Sequence, residues 1–145
     1  MEVKTIIGAI VAKKKAFSGF DALNRHDLDT FMSTWAEDGT YIFPGNLSIS
    51  GETKGKEAIR ELFQKFLDTF PLINFTIKNI YIQNIFALGS TNVIAVEWDV
   101  KYKNQKGEEF ENSGVTVIHV EKGKPVLVRE YIFDVELEKR AWGEG

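Results

Sequence analysis

Residues 92–104, NVIAVEWDVKYKN, alternate apolar and polar side chains along their whole length. Successive side chains of a β-strand point to opposite faces of its sheet, so this period of two predicts a strand with one buried face. The same alternation recurs, between turns that contain Gly, Asn and Lys, in residues 73–89, 108–123 and 124–136. The second half of the chain is therefore predicted to be a run of antiparallel strands joined by hairpins.

The first half of the chain follows the helical period instead. Apolar residues recur at helical spacing, which predicts three amphipathic helices, over residues 5–24, 28–35 and 55–70. Asp27 is placed to cap the second helix, and TYIFPG, residues 40–45, is typical of a short strand that ends at Pro44. The last residues, 137–145, are either a further helix with Trp142 packed against the core or a disordered tail. Helices followed by strands favour an α+β fold, with three N-terminal helices on one face of a strongly curved antiparallel sheet.

Composition limits the classes of function. The 145 residues suit a single domain, residues 1–145, with 43% hydrophobic and 27% charged residues. The net charge of −3 and the lack of a basic face argue against nucleic acid as a partner. Without cysteine, disulfides, thiolate metal sites and a cysteine nucleophile are excluded. His26 and His119 lack partners at metal-ligand spacing, so neither a metal nor another cofactor is expected.

An apolar N-terminal stretch raises the question of compartment. TIIGAIVA, residues 5–12, is too short to span a bilayer. As a secretory signal it is atypical, because Glu2 and Lys4 precede it and a lysine triplet follows where a small-residue cleavage site should lie. We therefore expect a cytoplasmic protein that does not bind membranes.

The sequence does not match the motif for a phosphate-binding loop or the motif for a hydrolytic serine. GETKGK, residues 51–56, resembles a phosphate-binding loop but has only three residues between its glycines and Glu57 after its lysine. We interpret it as a turn that leads into the third helix. No G-x-S-x-G elbow is present, so nucleophilic hydrolysis is poorly supported.

Alternation sorts the strand residues into faces that could line a cavity. In the strand predicted at residues 92–104, one face carries Val96, Trp98, Val100 and Tyr102. In the strand predicted at residues 124–136, one face carries Leu127, Arg129, Tyr131 and Phe133. A buried Arg129 would have to pair with a carboxylate or an anionic ligand, whereas a one-residue bulge would turn it to solvent. The candidate ligand-binding residues, which plain core packing would also explain, are Trp35, Tyr41, Phe43, Phe63, Trp98, Tyr102 and Asn112.

The order of these segments resembles the nuclear-transport-factor-2-like superfamily, and within it the SnoaL-like polyketide cyclase and ketosteroid isomerase branch. The resemblance rests on NRHDLDTFMSTWAEDGTYIFPG, on SGETKGKEAIRELFQKFLDTFP and on GKPVLVREYIFD. It implies a cone-shaped α+β barrel that encloses an apolar pocket and forms a homodimer through the outer face of the sheet. Val115 and Val117, apolar residues on that predicted outer face, are consistent with such an interface.

The resemblance leaves the activity open. Where the ketosteroid isomerases carry a catalytic aspartate before the proline that ends the first strand, this chain has Phe43. One hypothesis is a metal-independent isomerase, cyclase or lyase for a small hydrophobic, carbonyl-bearing molecule. Arg129 and Tyr131 would then polarise its oxygen, and Asp134 or Glu130 would accept the proton. The alternative is a non-catalytic module that binds a small ligand or assembles as a dimer.

Overall fold

The computed structural model describes residues 3–84 and 91–145, with side chains throughout these ranges except at residues 3–9 and 12. The elements of this part of the chain are α1 (Val3–Asn24), α2 (Leu28–Ser33), β1 (Thr40–Phe43), β2 (Gly51–Lys54), α3 (Lys56–Thr69), β3 (Leu72–Ile82), β4 (Asn92–Lys103), β5 (Glu109–Glu121), β6 (Lys124–Ile132) and α4 (Val135–Ala141). The predicted α+β class and the three N-terminal helices are confirmed. The predicted strand at residues 73–89 is β3, and residues 85–89 of that prediction lie outside the described residues.

The strands form one curled, open sheet in the order β2-β1-β6-β5-β4-β3. The strands from β3 to β6 pair with their neighbours as an antiparallel meander, as predicted. The sheet is nevertheless mixed, because β1 pairs with β6 in parallel. The chain leaves β1, completes β2, α3 and the whole meander, and returns beside β1 in the same direction. The GETKGK segment supplies β2, which pairs with β1 and leads directly into α3.

The core lies between the helices and one face of the sheet. Along β4, Val96, Trp98, Val100 and Tyr102 are all buried, as the alternation predicted. Helix α3 packs its apolar stripe against them, with Ile59, Phe63 and Leu67 buried in the same cluster. Burial of one face of the meander fixes its register, because a slip of one residue would expose the whole apolar set.

Polar contacts at the helix ends hold the helices on the sheet. The Asn24 side chain, at the end of α1, binds the backbone of β3 twice: its Nδ2 donates to Phe75 O at 3.0 Å, and Phe75 N donates to its Oδ1 at 2.7 Å. Asp27 caps α2 as predicted, accepting from Thr30 N at 3.1 Å. These bonds satisfy backbone groups that the helix and strand ends leave free.

The C-terminal segment is an ordered helix. Asp134 caps α4 by accepting from Leu137 N at 2.8 Å. Beyond the helix, the Trp142 ring lies against Phe66 and Phe70, with ring centroids 6.1 and 5.3 Å away. This packing was one of the two alternatives that the sequence left open.

In the described part of the chain, no helix is long and apolar enough to cross a membrane.

Gly114 on β5 lies where a larger side chain would not fit. A Cβ at this position would approach Tyr131 O at 2.4 Å and the Trp98 ring at 2.7 Å. We expect Gly114→Ala to lower the free energy of unfolding by about 1–3 kcal/mol, since a crowded core must shift to admit the methyl group. Urea unfolding followed by tryptophan fluorescence measures the change.

Gly19→Ala is the matched control, because a Cβ at Gly19 in α1 would meet no atom within 4 Å. Alanine favours a helix over glycine, so this variant should be more stable than the wild type by about 0.5–1 kcal/mol. Equal stability of the two variants would contradict the close approach at Gly114.

Candidate functional site

A cavity of about 130 Å³ lies between the helices and the buried face of the sheet. Its wall is mostly apolar and is contributed by all four helices and by every strand except β2. Six of the seven residues predicted to bind a ligand line it, namely Trp35, Tyr41, Phe43, Phe63, Trp98 and Tyr102. An enclosed apolar space with a few polar groups is the usual form of a small-molecule site.

Two of the predicted catalytic residues do not face this cavity. Arg129 is exposed on the opposite face of the sheet, with its guanidinium carbon 5.5 Å from the centre of the Tyr131 ring. The Tyr131 side chain is 51% exposed. In β6 the inward-facing residues are Val128, Glu130 and Ile132, so of the two positions that the sequence left open for Arg129 the solvent-facing one is found. The role given to Arg129 and Tyr131 as donors to a substrate oxygen inside the pocket is therefore withdrawn.

Asp134 and Asn112 have structural contacts instead. The Asp134 carboxylate caps α4, which occupies it with the backbone of the helix. Asn112 joins β5 to the same turn: its Nδ2 donates to Asp134 O at 2.9 Å, and its Oδ1 accepts from Asp134 N at 3.1 Å. Neither residue lines the cavity, so both predictions for these residues are corrected.

Among the described residues, two carboxyl groups lie in the cavity wall, and Glu130 is the first of them. Its Oε2 accepts a hydrogen bond from Thr116 Oγ1 at 2.6 Å, and its Oε1 accepts one from the Tyr41 hydroxyl at 3.2 Å. Thr116 in turn accepts from Trp98 Nε1 at 2.8 Å. Both oxygens of the carboxyl group are thus held in place by side chains from neighbouring strands.

Glu138 on α4 is the second carboxyl group. It is only 6% exposed and accepts a hydrogen bond from the Tyr102 hydroxyl at 2.6 Å. Together, α4 and β4 place this carboxyl and this hydroxyl in the wall of the same cavity as Glu130 and Tyr41. The site therefore contains two pairs, each made of a carboxyl and a tyrosine.

Burial shifts the titration of all four groups. Desolvation raises the pKa of both Glu130 and Glu138 to about 7, and their hydrogen bonds offset only part of this effect. The charge of Glu138 adds to the increase in the pKa of Glu130. Burial, followed by the charge of the neighbouring carboxyl group, holds the pKa of Tyr41 well above its ordinary value and also raises that of Tyr102. Near neutral pH the carboxyl groups can thus give and take protons, whereas the tyrosines act as hydrogen-bond donors.

The sequence contained partial signals for these two acids. Glu130 was named as the alternative proton acceptor, on the condition that it faced inward, which it does. Glu138 was missed. Its signal is its helical spacing from Ala141 and Trp142, which places an acid on the buried side of a C-terminal helix. Among the described residues, no group of three or more His, Cys, Asp or Glu side chains could hold a metal ion.

The sequence of this α+β protein matches the model of a known protein family. The model of the SnoaL-like domain family matches residues 18–128 of this chain. The chain therefore belongs to the SnoaL-like family, within the nuclear-transport-factor-2-like superfamily. No curated protein matches its sequence.

Solved structures are similar over nearly the whole chain. Bal32a, from a soil-derived mobile gene cassette, has a TM-score of 0.75 at 18% identity over 96% of this chain and 98% of that one. A proposed isomerase from Bacillus subtilis has a TM-score of 0.76 at 19% identity, covering 95% and 96%. A proposed aromatic ring hydroxylase from Novosphingobium aromaticivorans has 0.75 at 16% identity, covering 89% and 91%. At these identities, the similarity concerns the fold alone.

The raised pKa of Glu138 predicts a pH-dependent stability. Between its ordinary pKa of 4.5 and about 7, the folded protein holds this proton more tightly than the unfolded chain. The contribution of Glu138 to the free energy of unfolding is therefore complete below pH 4.5. It decreases as the pH rises from 4.5 through 7 and is constant at higher pH, and the total decrease is on the order of 3 kcal/mol. In Glu138→Gln, the decrease in unfolding free energy from pH 5 to pH 8 should be smaller than in the wild type.

Urea unfolding at both pH values measures this difference. Glu136→Gln is the control, since Glu136 lies on the same helix but is exposed. Its pH dependence should equal that of the wild type. A wild-type dependence in Glu138→Gln would mean that this carboxyl group ionises as it does in water.

Proposed function

We propose that this protein is a metal-independent enzyme of the isomerase, cyclase or lyase type. It transfers a proton on a small hydrophobic, carbonyl-bearing molecule bound in the cavity. The observation that carries the proposal is Glu130, a carboxyl group held at a fixed position in an apolar wall with a pKa of about 7. A general base is most effective when its pKa lies near the working pH, because it is then both available and basic.

The two carboxyl groups can share one proton near neutral pH. Glu130 accepts hydrogen bonds from Thr116 and Tyr41, and each of these bonds favours its ionised form. Glu138 accepts a hydrogen bond from Tyr102, and the nearby charge of Asp134 disfavours its ionisation. The charge of Glu138 in turn disfavours ionisation of Glu130, so the two pKa values, both about 7, belong to the pair. The step that we propose uses the state in which Glu130 is ionised and acts as the base, while Glu138 is protonated and acts as the acid.

These roles define a balanced proton-transfer step. The Glu130 carboxylate takes a proton from the carbon next to the substrate carbonyl. The electron pair of that C–H bond forms a C=C bond to the carbonyl carbon, and the π pair of the C=O bond moves to the oxygen, which gives an enolate. The protonated Glu138 donates a hydrogen bond to the carbonyl oxygen, where negative charge develops. In a substrate with a C=C bond conjugated to the enolate, return of the proton from Glu130 to the far carbon of that bond shifts the double bond and restores the carbonyl group. Attack of the enolate carbon on a second carbonyl group of the same molecule forms a C–C bond, and the resulting alkoxide takes the proton from Glu130, which gives a cyclised product.

One observation favours the alternative of a non-catalytic binding module. Phe43 lines the cavity at the position where the resembling isomerases carry their catalytic aspartate. Both tyrosine hydroxyls are moreover occupied by the two carboxyl groups and are not free to donate to a ligand. A binding module would keep the cavity and its affinity for apolar molecules but would transfer no proton.

Hydrogen–deuterium exchange separates the two functions. A benzene ring fits an apolar cavity of roughly 150 Å³, so acetophenone is a suitable probe. The protein in D₂O should accelerate exchange of the acetophenone methyl protons, and Glu130→Gln should slow this catalysed exchange at least about 100-fold. Proton NMR of the methyl signal gives the rate.

Glu97→Gln is the matched control, because Glu97 lies on another strand, does not line the cavity and binds Asn79 and Tyr81. Its exchange rate should equal that of the wild type. If the wild type is no faster than Glu130→Gln although acetophenone binds, the base is contradicted and the binding module is supported.

The outer face of the sheet supports a homodimer as the functional unit. Val115 lies opposite Tyr131 in the β5–β6 register, and Val117 lies opposite Arg129. Ile42 on β1 continues this row beyond Arg129. This face is half-buried or exposed in the single chain, and a second copy would cover its apolar part.

The cytoplasm, suggested by the absence of cysteine, remains the compartment that we propose.

Tyr131→Glu should dissociate this dimer, because it would place two carboxylates against an apolar partner surface. Sedimentation equilibrium should give a dissociation constant at least about tenfold weaker than in the wild type. Ile10→Glu is the control, since Ile10 is 57% exposed and lies on α1, which is not part of the proposed interface. A monomeric wild type would contradict the proposed interface.

A further inference from the structure

The exposed residues of the cavity wall locate its mouth. Of the described residues that line the cavity, only Lys15 on α1 and Thr34 at the end of α2 are exposed. Pro125, at the start of β6, lines the cavity beside them, and its carbonyl accepts from Ala36 N at 3.1 Å. The cavity therefore opens between α1, the end of α2 and the β5–β6 turn.

Lys15 is the basic side chain of this wall, and its charge has no carboxylate partner. Its ammonium group donates to Gly123 O at 3.2 Å in the β5–β6 turn. In the described part of the chain, no ion pair involves Lys15. An ammonium group has three N–H donors, so two remain for a ligand. Lys122 and Lys124 flank the same carbonyl and add positive charge to the turn.

The acids of the wall lie away from this opening. Gly123 and Glu130 are seven residues apart along an extended segment, which corresponds to at most about 23 Å. Between them, Val128 and Ile118 contribute apolar wall. Glu138 lies beside Tyr102, at the far end of β4 from the β5–β6 turn. A molecule that enters at Lys15 thus meets a cation first, then an apolar wall, and then the carboxyl groups.

We propose that the ligand of this cavity is an elongated amphiphilic carboxylic acid. Its carboxylate binds the Lys15 ammonium group at the mouth, and its apolar part enters the cavity. This proposal rests on the proposed function, because it names the substrate class of the same site: an acid whose second carbonyl group, deeper along the chain, reaches Glu130. Lys15 is a specificity-determining residue in this arrangement and does not touch the reacting atoms.

A matched pair of ligands tests the charge at the mouth. Octanoate and octanamide have the same length and apolar chain, and only octanoate is charged. At neutral pH and low ionic strength, calorimetric titration should show that octanoate binds about fivefold more tightly than octanamide. This ratio corresponds to the free energy that a partly exposed ion pair contributes. In Lys15→Met, which removes the ammonium group and keeps an unbranched apolar stem, the two affinities should become equal.

Lys13→Met is the control, because Lys13 is exposed, lies roughly 200° around the helix from Lys15 and does not line the cavity. It should keep the wild-type preference for octanoate. The thermal unfolding midpoints of both variants report any effect on folding, and the octanamide affinity reports whether the cavity itself is intact.

The possible results separate this proposal from the proposed function. Equal binding of octanoate and octanamide by the wild type overturns the anionic ligand and leaves the apolar site standing. A preference for octanoate that survives in Lys15→Met overturns the role of Lys15. Failure of both ligands to bind overturns the anionic ligand together with the apolar-ligand part of the proposed function. A preference that Lys15→Met alone removes supports the proposal, whatever the exchange experiment shows about catalysis.

Discussion

The hydrogen bond between Thr116 and Glu130 joins the strands on which the candidate site depends. These two residues are directly opposite in the β5–β6 register, and both face the core. Trp98 from β4 donates to the same threonine, and Tyr41 from β1 donates to the same carboxyl group. A buried polar group without a partner is costly, so this one network favours a single register across four strands. It also fixes the orientation of β6, with Glu130 inside and Arg129 outside.

The network explains why a titratable group is stable inside an apolar cavity. Desolvation alone would keep Glu130 protonated over a wide range of pH, and its two hydrogen bonds counteract this effect. Glu138 accepts a hydrogen bond from Tyr102 and is buried more completely on α4. The two acids thus have similar pKa values of about 7, reached with different hydrogen-bond partners. Paired acids whose surroundings differ are a common basis for the division between acid and base roles.

The sequence predicted elements well where one face of an element is clearly apolar. On β4, four apolar residues alternate with Glu97, Asp99 and Lys101, so the buried face is unambiguous. On β6 both faces carry apolar residues, and adjacent charged residues point to opposite faces, Arg129 to one and Glu130 to the other. Alternation therefore predicted the strand but not its orientation, and Arg129 and Tyr131 were misplaced with it. Asp134 was misplaced for a different reason, because it follows the strand and caps α4. Six of the seven predicted ligand-binding residues line the cavity, because aromatic side chains on buried faces identify its wall.

The sequence by itself determined the α+β class, the positions of the three N-terminal helices and the antiparallel meander, since these follow from local periodicity and from capping and turn residues. Only the tertiary structure decided that β1 pairs in parallel with β6, that α4 brings Glu138 to Tyr102, and that Lys15 lies at the β5–β6 turn. Each of these contacts joins residues between 36 and 108 positions apart in the chain. Their physical origin is the burial of shared apolar surface between distant elements, and no local pattern records which distant residue will be the partner.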